Sequence, residues 1–259
     1  MRLYREYHKE FKARILMSQA LKDFYDLNMQ AKSTFLLSTV IHVDRFEGKA
    51  PKNTNSQYIC YMGNMALKKD NVDNIVRAFA VVAEKYPDIE LHLYGVPDIM
   101  DKAVIVDLID ALKLDTRVIF KGRAKYDEVP DILVNAKVLV NSQPVTKRAA
   151  GGFPTKLGEY LLSGKPSIFT DSGEITNYIK DNVHAFIVQP ENHMVYAERL
   201  LYILDNYESA LRIGRGCRVR KHDGVRGHHV HHRAARPLGH HWPERYREDD
   251  ALSASHGNA

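Results

Sequence analysis

The chain has 259 residues, of which 44% are hydrophobic and 27% charged, and this length is enough to bury a substantial core. Its net charge of +5 is concentrated at one end, because residues 215–259 hold nine Lys/Arg against five Asp/Glu and leave +1 for the rest. Without a basic surface on the main part of the chain, nucleic-acid binding is not expected. No run reaches the roughly 18 to 20 apolar residues of a transmembrane helix. We expect a cytoplasmic protein, with association at the inner face of the membrane left open.

The first fifty residues carry a mixed pattern. Apolar residues recur at helical spacing and predict an amphipathic helix: Leu3, Tyr4, Tyr7, Phe11 and Ile15. The run ILMSQALKDFY then predicts a short strand that turns into a helix, and FLLSTVIHV predicts another strand. The next stretch, EGKAPKNTNSQ, is rich in turn formers, so we expect a linker and a domain boundary near residue 50.

From Tyr58 to about residue 214, short apolar runs alternate with stretches of helical period. The runs are YICYMG, IELHLYG, RVIFKG, KVLVN, PSIFT and HAFIVQ. The helical stretches between and after them are 71–85, 101–112, 126–135, 155–162, 174–180 and 191–204. This alternation predicts an α/β fold, in which helices cover both faces of a Rossmann-like parallel sheet. We therefore expect one such domain over residues 51–214.

The last segment, residues 215–259, breaks this pattern. It holds eight of the thirteen histidines and few apolar residues, so it cannot bury enough surface to offset the entropy of ordering. We expect it to be disordered. Its GHHVHHR and GHHW runs leave a metal-binding segment open, and the abrupt change of composition favours translation of a shifted reading frame.

The two cysteines, Cys60 and Cys217, lie far apart in sequence. Cys60 sits inside the apolar run YICYMG, where a cysteine is typical of a small core residue. The pattern predicts neither a disulfide nor a zinc site.

The stretch GGFPTKLGEYLLSGKP, residues 151–166, combines several features that could bind a ligand. Two glycines permit unusual backbone angles, Pro154 suits the first turn of a helix, and Lys156 lies in the same turn. A helix start offers free N–H groups to an anion, and Glu159 could accept hydrogen bonds from paired sugar hydroxyls. The alternative is an ordinary turn, a plain helix start and a solvated carboxylate, and the stretch alone leaves both interpretations open.

Two further clusters follow predicted strands. Lys68 and Lys69 are expected in a loop before a helix, where an ammonium group can reach a phosphate, although a solvated lysine pair explains them as well. Gly122, Arg123 and Tyr126 could flank a flat base. Several strands also end in a glycine or a small polar residue: Gly63, Gly95, Gly122 and Asn141 with Ser142. Ligands of parallel sheets bind at this edge, but a glycine there also serves a sharp turn.

The order of these motifs resembles the nucleotide-sugar-binding, C-terminal half of the GT-B retaining glycosyltransferases of family 4. The resemblance rests on GNMALKKDNVDNIVRAF, IELHLYG, VIFKGRAKYDEVPDIL, KVLVNS, GFPTKLGEYLLSGKPSIFTDSGEITNYI and HAFIVQPEN, over about residues 57–213. Residues 1–50 resemble the end of the other half and the interdomain linker, which VDRF enters. On this resemblance, most of the N-terminal, acceptor-binding half is missing from the chain.

The resemblance implies roles for the residues near the donor diphosphate. Lys69 matches the lysine that holds the diphosphate, with Lys68 as the adjacent alternative, and Asn64 stands where many members have arginine. Three residues match the loop and helix start that meet the phosphates: Thr155, Lys156 and Leu157.

The resemblance also implies how the nucleoside is held. Glu159 matches the second glutamate of a Glu-x7-Glu pattern, which binds the ribose, and Gly122 and Arg123 fall where the base is held. The first glutamate of the pattern is replaced by Gly151, so contact with the transferred sugar is in doubt. No residue is assigned as catalytic.

The implied function is that of a glycosyltransferase donor domain, which binds a nucleotide diphosphate sugar for transfer with retention. The family uses neither a metal nor another cofactor, and the acceptor, a glycan or a lipid-linked glycan, is not identified by the motifs. With the acceptor half missing, we expect this chain alone to transfer little or no sugar. A non-catalytic nucleotide-binding or interaction module and a His-rich metal-binding protein are the alternatives.

Overall fold

The computed structural model describes residues 12–28, 33–37, 40–52, 57–153 and 155–219, with only the backbone for 217–219. The first part of the chain forms a small parallel sheet of β1 (Arg14–Leu16) and β2 (Thr34–Leu36), with helix α1 (Gln19–Asn28) between the two strands. A short 3-10 helix, Val43–Phe46, then leads toward the main sheet.

The main sheet is parallel throughout the described residues. Its strands are β3 (Tyr58–Met62), β4 (Glu90–Tyr94), β5 (Val118–Gly122), β6 (Val138–Val140), β7 (Ser167–Thr170) and β8 (Phe186–Val188). Their order across the sheet is β5-β4-β3-β6-β7-β8. The predicted α/β fold with a Rossmann-like parallel sheet is confirmed.

Helices follow the strands along the chain. They are α2 (Leu67–Asp70), α3 (Val72–Lys85), α4 (Ile99–Ala111), α5 (Val129–Asn135), α6 (Lys147–Ala150), α7 (Leu157–Ser163), α8 (Ile175–Tyr178), α9 (His193–Asp205) and α10 (Tyr207–Val219). Local chemistry sets several ends. The carboxylate of Asp98 accepts the N–H of Asp101 at the start of α4, and Asn192 accepts that of Val195 at the start of α9. Gly164, with φ of 72°, ends α7.

Side chains alternate along the strands and build a separate core on each face of the sheet. Ile59 and Tyr61 point into the first core, which α3, α4 and α9 cover, whereas Cys60 points into the second, which α5 and α7 cover. Each of these three side chains is fully buried, and burying an aliphatic or aromatic side chain stabilises a fold by about 1.5–3 kcal/mol. The interpretation of Cys60 as a core residue is confirmed.

Two predictions about elements differ from the structure. Ile15 lies in strand β1, so the predicted first helix is wrong at that residue, and the rest of that prediction, residues 3–11, lies outside the described residues. Helix α10 continues to Val219, past the expected domain boundary at residue 214. This helix is packed up to that boundary, since Ala210 and Leu211 are buried and Gly214 lies against the backbone of Lys165. The proposed tail beyond residue 219 lies outside the described residues.

One buried lysine has no acidic partner among the described residues. Lys165 follows the glycine that ends α7, is 9% exposed, and lines a cavity of about 120 Å³ together with Pro51 and Arg215. Burial, assisted by the nearby positive charges of Arg215 and Lys137, lowers the pKa of Lys165 to about 8. The protonated form is therefore less favourable in the folded state than in the unfolded state.

We expect Lys165→Met to stabilise the protein at pH 7 and to flatten the pH dependence of its stability. In the unfolded chain the lysine titrates near its ordinary pKa of 10.5. Between about pH 8 and 10.5 the unfolded state then binds more protons, so the free energy of unfolding of the wild type rises with pH in that window. Urea denaturation at pH 7, 8.5 and 10 measures the difference between wild type and variant. Lys180→Met, at an exposed position, serves as the control, and parallel pH profiles for wild type and Lys165→Met would contradict the expectation.

Candidate functional site

The chain reverses its direction of progress across the sheet at β3. It builds β4 and β5 on one side of β3 and returns to place β6 on the other side. Loops at the carboxyl ends of the two strands therefore separate and leave a crevice, which is where open α/β sheets bind ligands. Gly63 follows β3 and Asn141 follows β6 at this edge, and α2 and α7 begin nearby.

Lys156 places a largely buried cation in this crevice. Its side chain is 19% exposed, and its Nζ lies 3.7 Å from Oδ1 of Asp70, whose side chain is 1% exposed. Burial lowers the pKa of Lys156, the charge of Asp70 raises it, and the charge of Lys69 lowers it. Neither carboxylate oxygen of Asp70 accepts a hydrogen bond from the described residues, so Lys156 is the compensating charge for this buried carboxylate.

Gly63 leaves room for Lys156 directly against the backbone. A Cβ atom at Gly63 would come within 2.7 Å of Cε and 2.8 Å of Nζ of Lys156, and within 2.4 Å of the Tyr61 hydroxyl. The ammonium group also lies 5.8 Å from the centre of the Tyr61 ring. Burial and the Asp70 charge raise the pKa of Tyr61, so its hydroxyl stays protonated. Lys156 thus lies beside the ring of Tyr61, the carboxylate of Asp70 and the backbone of Gly63.

The lysine pair lies in a helix instead of the predicted loop. Lys68 and Lys69 belong to α2, a single turn that ends at Asn71 in the left-handed conformation. The turn directs Asp70 into the protein, leaves Lys68 exposed and leaves Lys69 half-buried. Asn64 is exposed as well. Lys69 directly precedes Asp70, the partner of Lys156, so this turn connects Lys69 with the ion pair in the crevice.

Helix α7 begins later and is shorter than predicted. Thr155 is an exposed turn residue, Lys156 is the N-cap, and the helix proper starts at the buried Leu157. Pro154, the expected helix-starting residue, lies outside the described residues. Because α7 has only seven residues, the positive charge at this end of the crevice comes mainly from Lys156.

Glu159 forms an ion pair that the sequence did not indicate. Nη1 of Arg45 lies 2.7 Å from Oε1 of Glu159, with side-chain exposures of 14% and 27%. Nη2 of Arg45 donates a hydrogen bond to the backbone oxygen of Tyr126. The guanidinium carbon lies 3.5 Å from the centre of the Tyr126 ring. Arg45 therefore connects α7 with the segment that follows β5.

The backbone has free space beside it where β5 ends and the next segment begins. Gly122 has a φ of 70°, and nothing lies within 4 Å of the position that a Cβ atom would take. Arg123 and Tyr126 are exposed. Through the Arg45 contacts, Tyr126 lies near Glu159, so one residue that could flank a base comes close to the residue expected to hold the ribose.

Gly151 stands where the first glutamate of the pattern would be. It packs against the start of helix α1. Its carbonyl accepts a hydrogen bond of 2.6 Å from the Ser18 hydroxyl. A Cβ atom at Gly151 would lie 3.3 Å from the nearest methyl carbon of Leu21. The start of α1 thus covers the position from which a glutamate would project.

Most of the chain matches the model of a known protein family. The family model described as Glycosyl transferases group 1 matches residues 43–220, more than half of the chain. The chain belongs to the glycosyl transferases group 1 family. The match to this group 1 domain begins at the 3-10 helix that carries Arg45 and includes each of the site residues named above.

Individual relatives of the group 1 domain are distant. Mannosylfructose-phosphate synthase from Agrobacterium fabrum is 27% identical over 151 residues, which are 56% of this chain and 30% of that protein. HepE from Anabaena, solved with UDP and glucose, has a TM-score of 0.69 at 16% identity, over 84% of this chain and 60% of its own. A variant of S. aureus TarM, solved with fondaparinux, alpha-GlcNAc-glycerol and UDP, has a TM-score of 0.66 at 18% identity, over 84% and 42%. The chain thus spans less than two thirds of each relative.

These structural likenesses show the fold, which is the Rossmann-like α/β fold of GT-B glycosyltransferases. Within the described parts of the group 1 domain, no helix is both long and apolar enough to cross a membrane. The same parts contain no group of three or more His, Cys, Asp or Glu side chains suited to a metal ion.

Proposed function

We propose that this domain binds a nucleotide diphosphate sugar in the crevice beside β3, as the donor for glycosyl transfer with retention, in the manner of family 4. The observation that carries the proposal is the largely buried cation of Lys156 at the reversal point of the sheet, where it caps the helix that carries Glu159 and pairs with Asp70 in the turn that carries Lys69. Two cations suit a diphosphate, and a carboxylate one helical turn away suits the paired hydroxyls of a ribose.

The proposed contacts follow the position of each residue. Lys69 and Lys156 hold the diphosphate, next to the bare backbone of Gly63 and the turn at Thr155. Lys69 is preferred over Lys68 because it is half-buried beside Asp70, whereas Lys68 is exposed. Leu157 is buried and anchors α7.

The nucleoside part lies further along the same crevice. In the proposal Glu159 binds the ribose, and the base lies along Gly122 and Arg123, where the backbone is open. HepE and TarM were solved with UDP, and HepE also with UDP-glucose. UDP and UDP-glucose are therefore the first ligands to test.

In the proposed reaction, the bond between the anomeric carbon and the diphosphate oxygen breaks, and its electron pair stays with the diphosphate. The oxygen of an acceptor hydroxyl forms the new bond on the same face, and its proton passes to the departing diphosphate oxygen. The ammonium groups of Lys69 and Lys156 stabilise the charge that develops on the leaving diphosphate, which is an electrostatic form of catalysis. The acceptor, a glycan or a lipid-linked glycan, and the cytoplasmic location stay predictions.

Calorimetric titration of the full chain with UDP tests the donor site. We expect saturable binding that weakens at least tenfold in Glu159→Ala and in Lys69→Ala, because hydrogen bonds to charged groups contribute about 1.5–3 kcal/mol. Glu198→Ala, at an exposed position of α9, is the control and should bind like the wild type. Loss of UDP affinity in the control as well, or none in either site variant, would contradict the assignment.

Transfer needs a separate measurement. Incubation with labelled UDP-glucose and glycan acceptors distinguishes a transferase from a non-catalytic nucleotide-binding module, because only the former releases UDP in step with a labelled product. That this chain alone transfers little sugar stays a prediction. Rapid turnover by the isolated chain would contradict it.

A further inference from the structure

Arg45 lies on a connecting segment that is firmly held next to Glu159. The 3-10 helix Val43–Phe46 joins the small N-terminal sheet to the main sheet, and Phe46 is 3% exposed in the second core. Earlier in the same segment, Ile41 packs onto Gly158, where an added Cβ atom would lie 1.6 Å from Cδ1 of Ile41. Anchors on both sides of Arg45 therefore fix where its side chain starts.

The guanidinium group of Arg45 lies between Glu159 and Tyr126, which are two of the residues expected to face a nucleoside. Its contacts with Glu159 on one side and with the ring and carbonyl oxygen of Tyr126 on the other connect these two residues. A ribose that hydrogen-bonds to Glu159, or a base that lies along the segment after Gly122, needs the same space. Arg45 and a nucleoside are thus alternative occupants.

One hydrogen-bond donor of Arg45 is unpaired within the described part of the chain, so contacts with a ligand could replace those that Arg45 makes with Glu159 and Tyr126. Nε of Arg45 is buried and has no hydrogen-bond partner among the described residues, and an unpaired buried donor weakens the arrangement that contains it. The Glu159 side chain keeps 27% exposure, so a hydroxyl group can approach it from solvent. Rotation of Arg45 toward solvent would release both the carboxylate and the Tyr126 ring.

We propose that Arg45 is a specificity-determining latch, which competes with the donor nucleoside for Glu159 and Tyr126. The inference rests on the proposed donor site and adds a criterion for which ligands bind there. Pyrophosphate reaches Lys69 and Lys156 without moving Arg45, whereas a nucleoside diphosphate has to displace it. Only a ligand whose ribose and base replace both sets of contacts binds well, and the connecting segment loses one of its attachments when such a ligand binds.

Titration of the full chain with UDP and with pyrophosphate tests the latch in the variant Arg45→Met. This change keeps the apolar part of the side chain and removes the competing charge. We expect UDP to bind about tenfold more tightly than to the wild type, and pyrophosphate to bind within twofold of the wild type. Arg45→Lys retains a cation for Glu159 without the planar fork, and its UDP affinity should lie between the two.

Lys49→Met provides the matched control. Lys49 lies in the same connecting segment and pairs with Asp131 of α5 at 2.7 Å. Its removal should leave UDP affinity unchanged, and thermal unfolding of each variant checks that it is folded. Equal or weaker UDP binding by folded Arg45→Met would overturn the latch and leave the donor site standing. Absence of UDP binding in wild type and variants alike would overturn the donor site, and the latch with it.

Discussion

Replacing Lys156 with methionine is expected to weaken UDP binding roughly 100-fold and to lower the free energy of unfolding by about 3 kcal/mol. The first effect arises because the cation proposed to face the diphosphate is lost. The second arises because Asp70, fully buried and without a hydrogen bond among the described residues, then has no compensating charge. Titration calorimetry and urea denaturation measure the two effects.

A double variant separates these two roles of Lys156. Lys156→Met with Asp70→Asn should regain most of the lost stability, because a neutral amide costs less to bury than a carboxylate, while UDP binding stays weak. Lys180→Met is again the control for loss of one positive charge, and should change neither quantity by much. Recovery of UDP affinity in the double variant would show that Lys156 acts only through the fold.

Replacing Gly95 with alanine is expected to lower the free energy of unfolding by at least about 3 kcal/mol. Gly95 follows β4 with a φ of 135°, a conformation that other residues rarely adopt. Its new Cβ atom would lie 1.7 Å from the carbonyl oxygen of Gly63, so the end of β3 has to move. Because Gly63 in turn contacts Lys156, UDP affinity should fall in the same variant.

Gly122→Ala is the matched control for strain. Gly122 ends the neighbouring strand β5 with a φ of 70°, but it has open space where its Cβ atom would be. The cost there should be only about 1 kcal/mol, the usual penalty of a left-handed residue. Equal losses in the two variants would mean that the contact with Gly63 contributes little.

The main sheet could be predicted from the sequence because each of its strands is a compact apolar run. Runs such as YICYM and KVLV are buried on both faces, and burial of that kind leaves few other interpretations. Helix α2 could not be predicted, since LKKD has no apolar period and spans a single turn. Ile15 was misassigned because its helical spacing from residues 3–11 also fits the start of a strand.

The site was predictable in part. Lys69, Lys156 and Glu159 were each singled out by their place after a strand or at a helix start, and α2 and α7 bring them to one edge. Neither Asp70 nor Arg45 was found, because a buried carboxylate looks like any surface one in a sequence, and Arg45 is 114 positions away from its partner Glu159. An arginine directly before the apolar Phe46 in VDRF was the available signal.

The division of the interior into two cores has a consequence for how the domain holds together. Helix α7 packs on the second core, whereas Tyr61 and the residues around α2 pack on the first. Lys156 starts from the α7 side and extends over the Tyr61 ring to Asp70. Its side chain therefore couples two layers that the sheet otherwise keeps apart, and any ligand that touches both Lys69 and Glu159 adds a second connection between them.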